Sequence, residues 1–323
     1  MATTSQENSF ILSIICPCFN EEETIPIFFV ELERALEEVT EHYEVICVDD
    51  GSRDSTLSLL LNAAQRNPRI RVIELSRNFG KEAALTCGLD YARGDAVVPM
   101  DADLQDPPSL IKNLVEKWRQ GFEVVIAKRV DRSADSLAKK TTASWFYRIL
   151  NRIADSPIPE NVGDFRLMDR RVVEAVRRLP EHRRFMKGLF AWVGFRTVVI
   201  PYSRPERAAG STKFNVWRLW NFALEGITSF STAPLRVWTY IGLVVAGTAF
   251  AYGIFRIFRT LFFGVDVPGY ESLLVSILFL GGLQLMGLGV IGEYIGRIYE
   301  EAKGRPVYIV RQEYSSPNDE QTK

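Results

Sequence analysis

Histidine and cysteine are scarce in this chain: two histidines and four cysteines among 323 residues. That leaves little from which to build a zinc centre or a disulfide framework. Cys16-Pro17-Cys18 has the wrong spacing for a zinc pair, and no second pair or histidine cluster completes one. Cys16, Cys47 and Cys87 sit in apolar segments and read as small buried hydrophobes in a reducing, cytosolic setting. An excess of either charge is also missing. Lys and Arg number 39 against 40 Asp and Glu, a net charge of −1, which argues against a nucleic-acid binder. No Gly-x-Gly-x-x-Gly follows the first apolar run, and no Gly-x-x-x-x-Gly-Lys-Ser/Thr occurs. Both absences count against a dinucleotide enzyme and a P-loop kinase. Met1 to Asn8 is polar, so no secretory signal is expected there.

Long uncharged runs are absent from the first two thirds of the chain and then appear twice. Val237–Phe255 is 19 residues without a charge, and Ser272–Gly292 is 21. Each is long enough to cross a bilayer core. Two transmembrane helices are therefore expected, at about 236–259 and 272–296. Arg236 before the first, and Arg297, Lys303 and Arg305 after the second, place both flanks in the cytoplasm of a cell with an inner membrane. Arg256 and Arg259 lie at the far end of the first span, where they can snorkel to the opposite interface. Gly292 and Gly296 form a small-xxx-small pair that suggests helix packing, within or between chains, and leaves a homo-oligomer open.

The preceding part alternates apolar runs with amphipathic ones. Strands are expected at Ile11–Cys16, Val45–Val48, Ile70–Leu75, Ala96–Met100 and Val124–Ala127. Helices are expected at Glu21–Glu38, Asp54–Asn67 (with Asp54 as N-cap), Lys81–Tyr91 and Pro107–Arg119. The alternation implies an α/β fold with a mostly parallel sheet. Two further segments, Lys139–Ala154 and Asn215–Phe230, carry aromatic and aliphatic residues at helical spacing and suit amphipathic helices in a membrane interface. The expected organisation is a tail (1–9), a cytoplasmic catalytic domain (10–214), a juxtamembrane helix (215–234), two spans (235–297) and a cytoplasmic tail (298–323).

The stretch "VVPMDADLQDPP" ends an apolar strand in carboxylates. In open α/β sheets ligands bind outside the carboxyl ends of the strands. Asn20 and Glu21 follow the first strand, Asp49 and Asp50 the second, Asp101 and Asp103 the fourth. Carboxylates gathered on one edge repel unless a divalent cation or hydrogen-bond donors share the site. Asp101-x-Asp103-x-Gln105 supplies hard oxygen ligands that suit Mg²⁺ or Mn²⁺ held together with phosphates. Each piece alone also fits a simple turn or cap.

In order and spacing, "CPCFNEEETI", "VICVDDGSRDST", "SRNFGKEAAL" and "MDADLQDPP" resemble the motifs of family 2 GT-A glycosyltransferases. "VGDFRLMDRR" and "RAAGSTK" followed by two spans narrow the resemblance to the polyisoprenyl-phosphate type, most like bacterial bactoprenol glucosyltransferases and similar to dolichol-phosphate mannose synthases. It covers roughly residues 10–311. The resemblance implies a GT-A domain that inverts the sugar's configuration. The donor would be a nucleotide sugar, UDP-glucose or alternatively GDP-mannose or a UDP-linked modified arabinose, and the acceptor a polyprenyl phosphate.

By the same resemblance, Pro17, Phe19 and Glu21 line the uracil and ribose pocket, and Asp49 or Asp50 holds the base or ribose. Lys81, Ala102 and Arg129 join the nucleotide-sugar site. Asp101, Asp103 and Gln105 hold the metal. Arg207, Ser211 and Lys213 meet the acceptor phosphate. Asp103, Asp164, Arg207 and Lys213 would carry catalysis, with Asp164 either a base or structural. A processive synthase is disfavoured, because Gln-x-x-Arg-Trp is absent and more spans would be needed. A membrane-anchored binding protein on a degenerate transferase fold is the remaining rival.

Overall fold

The computed structural model describes residues 10–129, 162–182, 184–202, 233–263 and 269–314. The expected helices at 139–154 and 215–230, and Arg207, Ser211 and Lys213, lie outside the described residues. The chain forms two compact units, one of residues 1–151, 156–214 and 305–323, the other of 152–155 and 215–304.

The first unit is built on an eight-stranded sheet. Its elements in chain order are β1 (Leu12–Cys18), α1 (Ile25–Glu37), β2 (Tyr43–Asp49), α2 (Thr56–Arg66), β3 (Ile70–Leu75), α3 (Lys81–Tyr91), β4 (Ala96–Pro99), α4 (Leu110–Arg119), β5 (Val124–Arg129), β6 (Val162–Asp169), α5 (Arg170–Arg177), α6 (Met186–Trp192) and β7 (Thr197–Tyr202). A last strand, β8 (Val310–Tyr314), follows the second unit in sequence. The sheet order is β7-β5-β6-β4-β1-β2-β3-β8. β4, β1, β2 and β3 run parallel, while β6 and β8 are antiparallel to their neighbours. The expectation of a mostly parallel sheet holds.

The sequence explains the burial. β1 is apolar on both faces and almost wholly buried, as strands covered on both sides are. Helix α1 buries Ile25, Phe28, Phe29, Leu32 and Leu36, one face of a 3.6-residue period. α3 is packed closest. Ala83 to Leu89 are all buried, and a Cβ on Gly88 would stand 2.1 Å from Ile15 Cγ2. Glycine there lets the helix settle on β1.

Three helix starts are corrected, and the first is that α4 begins at Leu110 after an N-cap at Ser109, not at Pro107. α1 starts at Ile25, not Glu21, and has no acid in its first turn. Glu21 and Glu22 serve the loop instead: Glu21 Oε2 accepts from Thr24 Oγ1 at 2.9 Å, and Glu22 Oε2 accepts from Ser55 N at 2.9 Å. Asp54 is not the N-cap of α2, which is Ser55; Asp54 Oδ1 accepts from Thr56 N at 3.0 Å from one position further out.

The segment read as a tail supplies β8, which closes the β3 edge. Arg71 Nη1 and Nη2 bridge Glu44 at 3.1 Å and Glu313 at 2.8 Å, with only 5% of the arginine side chain exposed. Glu74 takes Arg311 at 2.8 Å and the Tyr314 hydroxyl at 3.0 Å. The Tyr308 hydroxyl donates to Asp90 at 2.9 Å.

The second unit contains two long helices, α7 (Ala233–Phe263) and α8 (Tyr270–Ala302). Stretches long and apolar enough to cross a membrane run from Val237 to Phe255 and from Phe279 to Ala302, and neither is buried. Leu243, Phe250, Leu285 and Leu288 are exposed. That is the opposite of a soluble core helix and suits a lipid surround.

Candidate functional site

The chain builds outward from β1 to β2 and β3, then returns to lay β4 on the other side of β1. Connections leave the carboxyl ends of β1 and β4 in opposite directions and open a crevice there. A hollow of about 390 Å³ lies at that point. Eight expected residues line it: Pro17, Phe19, Glu21, Asp50, Lys81, Asp101, Ala102 and Asp103. Cys18, Asn78, Gly80 and Ala84 also line it; none is singled out in the sequence, although all four lie within the quoted motifs. Four expected site residues among those described, Asp49, Gln105, Arg129 and Asp164, are not part of the lining.

The two aspartates at the end of β2, Asp49 in the strand and Asp50 just beyond it, have different partners. Both Asp50 oxygens are taken by backbone donors, Oδ1 by Phe79 N at 2.7 Å and Oδ2 by Gly80 N at 2.8 Å. Asp50 thus fastens the end of β2 to the N-terminus of α3. Burial raises its pKa, against the pull of those two N–H groups and Arg77. Asp49 is 1% exposed; Oδ2 accepts from Ser52 N at 3.2 Å, while Oδ1 is buried with no partner. Burial raises Asp49 as well. The next residue, Gly51, has φ +69°, and a Cβ would lie 2.7 Å from the backbone of Arg77 and Asn78. Only glycine meets both demands. Asn20, also left-handed at φ 54°, ties the neighbouring loop down by accepting from Arg53 N at 2.9 Å.

The strand end that opens the Asp-x-Asp stretch is wired through Lys81. Its Nζ lies 2.7 Å from Asp101 Oδ2 and 2.8 Å from Asp164 Oδ2. Asp164 is the third residue of β6 and reaches the site from across the sheet. Its other oxygen is buried without a partner. Burial would raise Asp164, but Lys81 and Lys187 outweigh it and hold its pKa below the usual carboxylate range. Asp101 moves the other way, since burial, with Asp164 and Asp103 adding, exceeds the relief from Lys81. Burial opposes the charge of Lys81, yet the two carboxylates raise its pKa and keep it cationic.

Asp103 is held from its own loop. Gln105 N donates to Oδ1 at 3.1 Å, and the Gln105 amide donates to Oδ2. Leu104 between them sits at φ 55°, a left-handed conformation uncommon for such a residue. Sparsely populated backbone of this kind gathers at functional loops. Asp106, part of the same acidic run, is buried and accepts from the Tyr202 hydroxyl, so it pins the loop to β7. Glu21 faces the pair from the loop after β1, its pKa raised by burial and by Asp103 and Asp101.

Behind Asp164 lies a cluster that the sequence reading did not find. Arg166 is buried and stacks 4.4 Å above the Phe190 ring, its pKa lowered by burial to about 10. Glu82, next to Lys81, is raised by burial and by Asp164 to about 7, and accepts from Met186 N at 3.3 Å. The link depends on β6 and α6 folding back over α3, which no local pattern reveals.

Among the described residues no group of three acidic, histidine or cysteine side chains is placed to hold a metal unaided. Two carboxylates and an amide, all hard oxygen donors, fit an ion that completes its shell with a substrate's phosphates.

An α/β crevice edged by an Asp-x-Asp loop, in a chain that also carries two long apolar helices, is the arrangement of a sugar transferase of the GT-A kind. Residues 13–177 match glycosyl transferase family 2, and the chain belongs to that family. Residues 233–298 match the GtrB C-terminal hairpin. The chain is 56% identical over 302 residues to a bactoprenol glucosyl transferase of Shigella phage SfV, covering 94% of this chain and 98% of that one. It is 55% identical to a prophage bactoprenol glucosyl transferase homolog of Escherichia coli, with 93% and 98% covered. An uncharacterized glycosyltransferase of Synechocystis, sll0501, is 54% identical, with 93% and 94% covered.

Proposed function

We propose that this family 2 enzyme transfers a hexose, glucose from UDP-glucose, onto the phosphate of a polyprenyl lipid at the cytoplasmic face of the inner membrane, with inversion. The observation that carries the reading is the convergence of Asp101, Asp103 and Lys81 on the crevice between β1 and β4. The acceptor and sugar are carried over from bactoprenol glucosyl transferases more than half identical to this chain. The uncharged stretches of α7 and α8, flanked by Arg236, Arg297, Lys303 and Arg305, support a two-span anchor with the catalytic unit inside.

In this reading Pro17, Phe19 and Glu21 wall the nucleoside pocket, and Asp49, with its unpartnered buried oxygen, accepts from the base. Asp50 holds the floor. Asp101, Asp103 and Gln105 would hold Mg²⁺ or Mn²⁺. A divalent cation there supplies positive charge to the departing diphosphate. Lys81 adds a second positive group to the same phosphates.

A lipid phosphate is already ionised at neutral pH and attacks the sugar carbon without a general base. Asp164 suits that chemistry as a positioning residue: it is held ionised against Lys81 at 2.8 Å, which makes it a poor proton acceptor. Arg207, Ser211 and Lys213 would bring the acceptor phosphate beside the anionic donor.

The test is to incubate the purified protein in detergent with undecaprenyl phosphate and, separately, radiolabelled UDP-glucose, UDP-galactose and GDP-mannose. Label should enter the lipid phase from UDP-glucose alone. Label from another donor corrects the sugar; label from none overturns the reading.

A further inference from the structure

Each carboxylate of the Asp-x-Asp pair already carries an internal donor. Lys81 Nζ occupies Asp101 Oδ2, and Gln105 occupies both oxygens of Asp103. The ammonium also reaches Asp164, so one cation spans two carboxylates that belong to different strands' ends. Lys81 is the first residue of α3, its side chain 45% exposed on a flexible stem, and it lines the same hollow as Asp101. Such a group can trade one anion for another without moving the backbone.

We propose that Lys81 is a latch on the metal-binding carboxylates, closed on Asp101 until a nucleotide diphosphate draws its ammonium away. This inference rests on the function proposed above. While the latch is closed, a divalent cation meets a carboxylate with one oxygen engaged and its charge partly offset by the ammonium, and binds weakly. A diphosphate entering at the N-terminus of α3 offers the ammonium new oxygens, favoured further by the helix dipole. Asp101 is then free to face the cation that the same phosphates ligate. Asp164 keeps hold of the ammonium on its far side, so Lys81 pivots rather than leaving. The latch also spares Glu21, Asp101 and Asp103 from mutual repulsion when no ligand is present. Metal and nucleotide consequently enter together. By linkage each strengthens the other by the same factor, and coupling between sites is typically about 5- to 150-fold.

The test measures Mn²⁺ binding by electron paramagnetic resonance on the full-length protein in detergent, with and without UDP, and requires no turnover. The wild type should bind Mn²⁺ weakly alone and about tenfold or more tightly with UDP. Lys81→Met should bind Mn²⁺ alone roughly fivefold tighter than wild type, and the enhancement by UDP should shrink by at least that factor. Lys81→Arg, which keeps the cation, should retain the enhancement and shows that substitution at this position leaves the site intact. Lys187→Met removes a nearby charge that acts on Asp164 from α6, and should leave the enhancement as in the wild type. Unchanged or weaker Mn²⁺ binding in Lys81→Met, or equal effects from Lys187→Met, would overturn the latch. A wild type in which UDP does not enhance Mn²⁺ binding would instead overturn the proposed function beneath it.

Discussion

Asp49 and Asp50 are adjacent, identical and both buried, yet their amides should fail in opposite ways. Asp50→Asn keeps one acceptor for Phe79 N or Gly80 N and turns an NH₂ group toward the other. A hydrogen bond to a charged group contributes about 1.5–3 kcal/mol, and a stranded buried donor costs a similar amount. For a unit of this size that is a fall in Tm of roughly 3–12 °C. Asp49→Asn can still accept from Ser52 N and removes a charge with one unpartnered buried oxygen. Its Tm should be unchanged or higher. If Asp49 accepts from the nucleotide base, UDP binding with Mn²⁺ should weaken by roughly 10- to 150-fold, since the same 1.5–3 kcal/mol is lost there. Thermal unfolding and isothermal titration of both variants in detergent separate the two outcomes. An Asp50→Asn protein as stable as wild type, or an Asp49→Asn protein that binds UDP normally, would refute the reasoning.

Three further outcomes follow from particular contacts. Glu82 has a folded pKa of about 7 against an ordinary 4.5, so its ionisation opposes folding progressively from pH 4.5 to 7 and fully above. Glu82→Gln should therefore be more stable than wild type at pH 8 by on the order of 2–3 kcal/mol and no different near pH 4.5, read from urea unfolding at the two pH values. Gly51→Ala meets backbone at 2.7 Å and a left-handed φ; it should lose about 2 kcal/mol or more, and a wild-type Tm would contradict the close approach. Glu313→Ala leaves buried Arg71 with Glu44 and the Tyr91 carbonyl oxygen but strands its Nη2. A loss of about 1–2 kcal/mol is expected, and none would show that β8 is only draped on the edge.

The parts of the fold legible in the sequence were those with local signatures. Ile70–Leu75 and Lys81–Tyr91 were expected where they occur, because turn residues bound the apolar strand and the helix on both sides. Helix α1 was expected to start four residues too early because acids before a helix look like acids in its first turn. β8 escaped because an edge strand with one solvated face, Val-Arg-Gln-Glu-Tyr, reads as a polar tail. At the site, the Asp-x-Asp run announced itself, but the division of labour between Asp49 and Asp50 did not. That division depends on where the Phe79–Gly80 backbone crosses, a matter of tertiary packing. The Lys81–Asp164 pair is likewise invisible to spacing, since α3 and β6 meet only once the sheet is assembled.

The central claim is that the Asp101–Asp103 loop holds a cation for transfer of the sugar to lipid phosphate. The most direct measurement strips the protein of metal, supplies undecaprenyl phosphate and radiolabelled UDP-glucose, and counts label in the organic phase as Mn²⁺ is titrated. The account predicts no transfer without metal, a saturable rise with it, and none at any Mn²⁺ concentration in Asp103→Ala. Transfer that persists in chelator, or survives in Asp103→Ala, would contradict it.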